Sequence, residues 1–304
     1  MKLIYVNDIL GEINIILDSW NQEFKSSFPI TEELFKAKII DSAYTLKKES
    51  ICLYLEKEYI GSVILKDYDN SLYVSFIHII NDKRNKGYGE LLIDEVKKLA
   101  EEKNYKKIIL GSDPDCIFSG VFMEENDDVH RFFSNQGFTR DYINYNLIAY
   151  ETPRSVPVPD DYVIRKAEEK DRLELLDFIK AHFSERWLNE VRENKINQVY
   201  VLLYEDKIIG FVNTALSQNH HYPNSLNLYL LFDNLAGIGP LGLAPDFQSR
   251  GLGKGFVNYV MRDLFDSGAS EVMVDWTGLI DFYKKCGFNE VYKKYIIYST
   301  KVGN

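Results

Sequence analysis

Leu241-Gly-Leu-Ala-Pro-Asp-Phe-Gln-Ser-Arg-Gly-Leu-Gly-Lys254 is the stretch on which the reading of this chain turns. Its apolar start, Leu241 to Leu243, reads as the end of a buried strand. Pro245 and Asp246 turn the chain, and Gln248, Ser249, Arg250, Gly251, Leu252, Gly253 and Lys254 follow. Phe256, Val257, Val260, Met261, Leu264 and Phe265 then recur with helical spacing. The glycines therefore stand between a strand and a helix start, where several backbone N–H groups lack intrahelical partners. With the helix dipole these form an anion site, and glycine lets a pyrophosphate approach the backbone closely. Arg250 and Lys254 add charge of the right sign.

An isolated Gly-x-Gly also fits an ordinary tight turn. Two features argue for more. A strand follows, Glu271-Val-Met-Val-Asp275, and then a helical segment ending Phe282-Tyr283-Lys-Lys-Cys-Gly287-Phe288. The arrangement also occurs twice. Earlier in the chain Arg84-Asn-Lys86-Gly87-Tyr88-Gly89 precedes a helix, and Phe132-Phe133-Ser-Asn-Gln-Gly137-Phe138 comes after it. Leu55-Glu-Lys-Glu-Tyr-Ile-Gly-Ser-Val63 aligns with Tyr204-Glu-Asp-Lys-Ile-Ile-Gly-Phe-Val212. A duplicated unit accounts for all of these together.

Strand, Gln-x-x-Gly-x-Gly, helix, strand and Phe-Tyr-x-x-x-Gly-Phe together resemble the acetyl-CoA half of the GNAT N-acetyltransferases. The resemblance covers nearly the whole chain, as two GNAT-like domains in tandem, a layout similar to that of mycothiol synthase without implying its substrate. It implies an α/β fold in which each domain has a central mixed sheet with flanking helices. It further implies that the amides from Gln248 to Lys254 hold the CoA pyrophosphate and that pantetheine lies against Leu241 to Leu243. Tyr283 would protonate the departing thiolate. In the first copy the matching cofactor positions are Arg84, Lys86, Gly87, Tyr88 and Gly89.

Composition sets bounds on these expectations. The 304 residues suit two domains, and 45% hydrophobic with 14% aromatic residues describes a globular protein. Net charge is −10, of which residues 1–155 carry about −7, so neither half offers the basic face of a nucleic-acid binder. Three scattered cysteines make no disulfide framework, which fits a reducing cytosol. The polar start is unlike a signal peptide, and no apolar run reaches membrane-span length. A cytoplasmic enzyme, with no membrane or nucleic-acid partner, is the expectation. Three of the eight prolines fall in Thr152-Pro-Arg-Ser-Val-Pro-Val-Pro-Asp-Asp161, which suits a stiff connection. The domains are accordingly placed at 1–152 and 162–304, with a linker at 153–161.

The copies differ in chemistry. The second has Tyr283 where the first has Phe133, and only the phenol can give up a proton. The first domain is therefore expected to be catalytically silent and to help form the acceptor site. Asp275 is the nearest carboxylate in sequence to the expected cleft and is the candidate base, with ordered water as the alternative. Many relatives have an asparagine where Trp276 stands, so no standard base is implied. The pair His220-His221 lacks the ligands that would complete a metal site, and no metal is expected. His78 reads as a half-buried strand residue, and Glu124-Glu-Asn-Asp-Asp128 as a solvated loop. Cys286 has no histidine nearby in sequence to activate it.

These observations point to an N-acetyltransferase that moves acetyl from acetyl-CoA to an amine, either a small molecule or a peptide. Because the first half is acidic, a small basic amine or lysine-bearing peptide is expected. An acyl-CoA-binding sensor without turnover is the alternative. Nucleotide-phosphate binding lacks the Gly-Lys-Ser/Thr it would need.

Overall fold

The computed structural model describes residues 2–123, 127–217 and 224–303. They form two compact units, Met1–Asn144 with Lys294–Asn304, and Tyr145–Lys293.

The first unit runs β1 (Leu3–Val6), α1 (Ile13–Phe24), α2 (Glu32–Phe35), β2 (Ile51–Leu55), β3 (Glu58–Tyr68), β4 (Ser71–Ile79), α3 (Tyr88–Glu102), β5 (Lys107–Leu110), β6 (Val121–Phe122), α4 (Asp127–Asn135) and β7 (Thr139–Ala149). Thr31 starts α2, its hydroxyl accepting the N–H of Leu34. Strands β1 to β4 pair antiparallel in order, and β4 pairs β5 in parallel from Ser71–Lys107 to Val74–Leu110. Leu92, Ile93, Val96 and Ala100 of α3 are the buried face of an amphipathic helix, packed with Ile60, Val63, Leu72 and Val74.

The second unit repeats this plan with β8 (Tyr162–Lys166), α5 (Arg172–His182), α6 (Glu185–Glu193), β9 (Val199–Tyr204), β10 (Lys207–Leu216), β11 (Leu235–Leu243), α7 (Leu252–Asp266), β12 (Glu271–Thr277), α8 (Ile280–Cys286) and β13 (Glu290–Lys301). Here too the strand before the glycine loop pairs in parallel with the one after the helix, β11 with β12. One face of this sheet buries Phe256, Val257, Val260 and Met261 of α7 with Tyr283 and Phe288. The other buries Leu175, Phe178 and Ile179 of α5 with Leu188 and Val191 of α6 and Phe211. The fold is α/β with mixed sheets, as the motif pattern implies.

The units are not the contiguous halves 1–152 and 162–304. Strand β7 starts in the first unit, but Leu147 and Ala149 pair with Val274 and Val272 of β12. In return Tyr298 to Lys301 of β13 pair with Leu110 to Lys107 of β5. Each sheet thus takes its closing strand from the other repeat. Pairing uses backbone groups that both strands present alike, so two strands in equivalent places can be exchanged at little cost.

The proline segment is also more than a spacer. Asn258 of α7 accepts the Val156 N–H at 2.9 Å and donates to the Arg154 carbonyl at 2.9 Å. Arg262 donates to the Pro153 carbonyl at 2.8 Å. A Cβ at Gly255 would stand 2.7 Å from Val158, so the bare glycine lets the segment lie along the helix.

Candidate active site

The parallel pairing of β11 with β12 begins at Leu235–Glu271 and stops at Ile238–Val274. Beyond it β11 continues to Leu243, held only on its other edge by β10. The Ala244 N–H donates to the Ile209 carbonyl at 2.8 Å. Antiparallel ladders alternate, so from that register Gly242 also faces β10 while the N–H groups of Leu241 and Leu243 face away from it. They point into the gap where the two strands have parted. Leu241 and Leu243 therefore present backbone donors where a thioester or pantetheine can lie between strands.

The loop after β11 has the backbone that an anion needs. Pro245–Phe247 make one 3₁₀ turn, Ser249 (φ 61°) and Gly251 (φ 80°) are left-handed, and α7 starts at Leu252. Gly251 is the residue before the helix and makes no side-chain cap, so the first N–H groups stay directed at the loop. Gln248 donates to the Leu243 carbonyl at 2.9 Å, tying the loop to the strand end. Arg250 is exposed, with its guanidinium 5.0 Å from the centre of the Phe247 ring. Leu252 is buried, and Lys254 is half-buried at the first turn. Gly253 faces inward, where a Cβ would lie 3.4 Å from both Leu243 and Phe282. That contact seats α8 against the start of α7.

Tyr283 follows Phe282 on α8. Its ring packs edge-on to Phe282 and Phe288, and only 6% of the residue is exposed. Burial is the main force raising its phenol above the ordinary value, and the charge on Asp275 raises it further. Asp275 is thus within electrostatic reach of Tyr283. Cys286, one turn on, has its thiol pushed up to about 12 by burial, so it is an inert core thiol.

Sequence reasoning gave Trp276 no role, and it did not single out Arg186. Trp276 is left-handed (φ 48°), a rare state for a bulky residue, and this breaks the strand's alternation. Its ring meets α6, where the Arg186 guanidinium lies 3.4 Å from the ring centre. The α5–α6 corner is fixed nearby, since a Cβ at Gly242 would stand 2.4 Å from the Phe183 ring. Only the absence of asparagine at position 276 hinted at a special place.

In the first unit the loop backbone is the same. Asn85 (φ 58°) and Gly87 (φ 85°) are left-handed, α3 begins at Tyr88, and Gly89 lies against Phe132. Its cations, however, are engaged. Arg84 is paired to Glu23 and donates from Nε to the Ile79 carbonyl, and Lys86 donates to the Asp82 carbonyl. Beyond Val74 the α1 side of β4 is covered by the segment from Gly111 to Phe122, which has no counterpart in the second unit. Phe118 packs there with Trp20, Phe28 and Phe76. Phe133 is buried against Phe138 and Tyr298. His78 is more buried than expected, at 4% exposed.

No group of three or more His, Cys, Asp or Glu that could hold a metal occurs among the described residues. The pair His220-His221 and residues 124–126 of the acidic cluster lie outside them. No helix of the described residues is long and apolar enough to cross a membrane.

A model of the acetyltransferase (GNAT) family matches residues 14–138 and again residues 164–288. The chain belongs to that family. No curated protein matches it significantly in sequence. Among solved structures, this GNAT chain is similar to a glucosamine N-acetyltransferase region of a fungal multi-domain GH3 β-N-acetylglucosaminidase, with 19% identity and a TM-score of 0.84. That match covers 98% of this chain but only 38% of the other. A GCN5-related N-acetyltransferase from Sphaerobacter thermophilus has 13% identity and a TM-score of 0.73, with 99% and 96% of the two chains covered. A tandem GNAT protein from the clavulanic acid biosynthesis pathway has 10% identity and a TM-score of 0.67, with 100% and 99% covered. At these identities the likeness is one of fold, and that fold is a tandem GNAT.

Proposed function

We propose that this GNAT protein transfers the acetyl group of acetyl-CoA to a primary amine, and that the second unit performs the transfer. The observation that carries the reading is the convergence of three features of that unit. They are the left-handed glycine loop at the start of α7, the outward N–H groups of Leu241 and Leu243, and the phenol of Tyr283. The loop amides with Arg250 and Lys254 bind the pyrophosphate. The Leu243 N–H, in the parted region of the sheet, polarises the thioester carbonyl and stabilises the oxyanion.

The amine nitrogen attacks the carbonyl carbon, and the tetrahedral species collapses with cleavage of the C–S bond. Tyr283 gives its proton to the leaving sulfur, and the ammonium proton passes to Asp275 or to water. Amide and thiol are the products. Burial raises the phenol, and a thiolate leaving in the same desolvated site is disfavoured for the same reason. Donor and acceptor thus move together, which keeps the transfer feasible.

The first unit serves as a silent partner. It has Phe133 in place of the acid, and Phe118 occupies the face on which an acceptor would rest. A cytoplasmic setting suits the supply of acetyl-CoA and the three free, buried thiols. The test is release of CoA thiol from acetyl-CoA with a panel of amines. Tight acetyl-CoA binding with no amine-dependent thiol release would favour the sensor reading instead.

A further inference from the structure

Transfer chemistry as described leaves one well-placed cation without a task. Arg186 stands in the first turn of α6, with its guanidinium stacked 3.4 Å from the centre of the Trp276 ring. Stacking fixes the plane of the fork. Its Nε is buried and has no hydrogen-bond acceptor. No carboxylate among the described residues pairs with it. A guanidinium stays charged at any working pH. A guanidinium with no carboxylate partner is a natural seat for an anion.

Its position gives the anion a meaning. Trp276 is the second residue past Val274, where β12 parts from β11. Asp275 lies between them, within electrostatic reach of Tyr283. Two successive residues therefore bring a carboxylate into electrostatic reach of the acid and an aromatic ring carrying a cation against α6.

We infer that Arg186, held by Trp276, is the seat for a carboxylate on the acceptor, so that the acceptor is an amino acid or a related amino carboxylic acid. This rests on the acetyl-transfer reading above and narrows it. A planar carboxylate takes parallel hydrogen bonds from the terminal nitrogens of the fork, while the buried Nε and the Trp276 ring hold the fork in place. Asp275 repels that carboxylate and attracts the ammonium end, so the zwitterion is oriented with its amine toward Asp275 and Tyr283. The acceptor is then a zwitterion and not the plain cation expected from the charge of the first half.

The experiment compares matched pairs, each an amino acid and its carboxamide, with glucosamine and a phosphorylated amine as further arms. It uses the full chain and the variants Arg186→Gln, Arg186→Lys and Trp276→Phe. The readout is kcat/KM for thiol release, with acetyl-CoA Kd as the control for an intact site. Expected is a preference of about tenfold or more for the free carboxylate, the scale of one charge-assisted pair. It should collapse toward unity in Arg186→Gln, survive partly in Arg186→Lys, and leave acetyl-CoA Kd unchanged. Equal use of acid and amide by the wild type overturns the proposal. So does a preference for glucosamine or the phosphorylated amine, or an Arg186→Gln loss that is the same for acid and amide.

Binding is read separately from turnover by tryptophan emission on titration with the same amino acids. A saturable change that Arg186→Gln and Trp276→Phe abolish supports the seat even if no amine in the panel is acetylated, in which case only the transfer reading fails. No saturable change with any of these carboxylates overturns the seat itself.

Discussion

Arg84 and Glu23 form a two-pronged ion pair in the first unit, with 2.6 Å from Nη1 to Oε1 and 2.7 Å from Nη2 to Oε2. With Nε on the Ile79 carbonyl, all three guanidinium nitrogens are used. In the second unit Gln248 stands in the place of Arg84, and Arg250, in the place of Lys86, is exposed and rests on Phe247. The two loops thus share a backbone but differ in how much charge they can offer a phosphate.

The glycine loop can be tested by separating backbone conformation from space. At Gly251 a Cβ meets nothing within 4 Å, so Gly251→Ala probes the left-handed φ alone. It should cost about 1–2 kcal/mol of stability and weaken acetyl-CoA binding, read by thermal unfolding and calorimetry. Gly253→Val should lower affinity at least tenfold, the scale of about 1.4 kcal/mol, and also lower Tm, because its side chain meets Leu243 and Phe282. Unchanged affinity in both variants would remove the loop from the cofactor site.

Tyr283→Phe keeps the ring packing and removes the proton donor. Its kcat should fall by about 10²–10⁴, with acetyl-CoA Kd within about twofold. Because the phenol is raised above its ordinary value, it stays protonated through pH 7 to 9. No alkaline loss of kcat over that range should trace to Tyr283, and such a loss vanishing in Tyr283→Phe would contradict the assignment.

Phe133→Tyr should not create a second active centre. The new hydroxyl would enter a core of Phe138 and Tyr298 and cost about 1–3 kcal/mol if left unpaired. In a Tyr283→Phe background the rate should stay at the level of that background. Restored turnover would show that the first unit is not silent.

His78 makes the stability of the first unit depend on pH. Burial lowers its pKa below the ordinary 6.5, outweighing the pull of Glu23 at 3.2 Å, while Arg84 lowers it further. The unfolded chain therefore binds the proton more readily. Stability is full above about pH 6.5 and declines as the pH falls toward the folded-state value. Urea unfolding at pH 5 and pH 7.5 should show the decline, and His78→Gln should reduce it. An equal acid loss in the variant would assign it to other groups.

A fragment starting near Ser155 should fail as an independent domain. It lacks Leu147 and Ala149, which pair with β12 and belong to the core around α7. It retains Tyr298 to Lys301, whose partners lie in β5. Such a fragment should unfold without a cooperative transition, whereas cooperative unfolding with acetyl-CoA binding would show that strand 145–149 is dispensable.

The α/β pattern, the duplication, the glycine loops and the contrast between Tyr283 and Phe133 were legible in the sequence by itself. Each is a local matter: helical spacing, a residue with no Cβ where φ must be positive, a hydroxyl present or absent. The Thr31 cap of α2 and the left-handed turn residues Glu56 and Glu205 are of the same local kind. Only the tertiary structure decided which strand closes each sheet. Strand pairing is made by backbone groups, and β7 and β13 offer the same ones, so no side-chain pattern distinguishes self-pairing from exchange. Likewise, Asn258 anchors the proline segment 102 residues away in sequence. Arg186 and Trp276 meet across 90 positions because a left-handed residue turns the ring toward α6. Contacts at that separation depend on where whole elements come to rest, and packing of the two sheet faces fixes that only when the chain is folded.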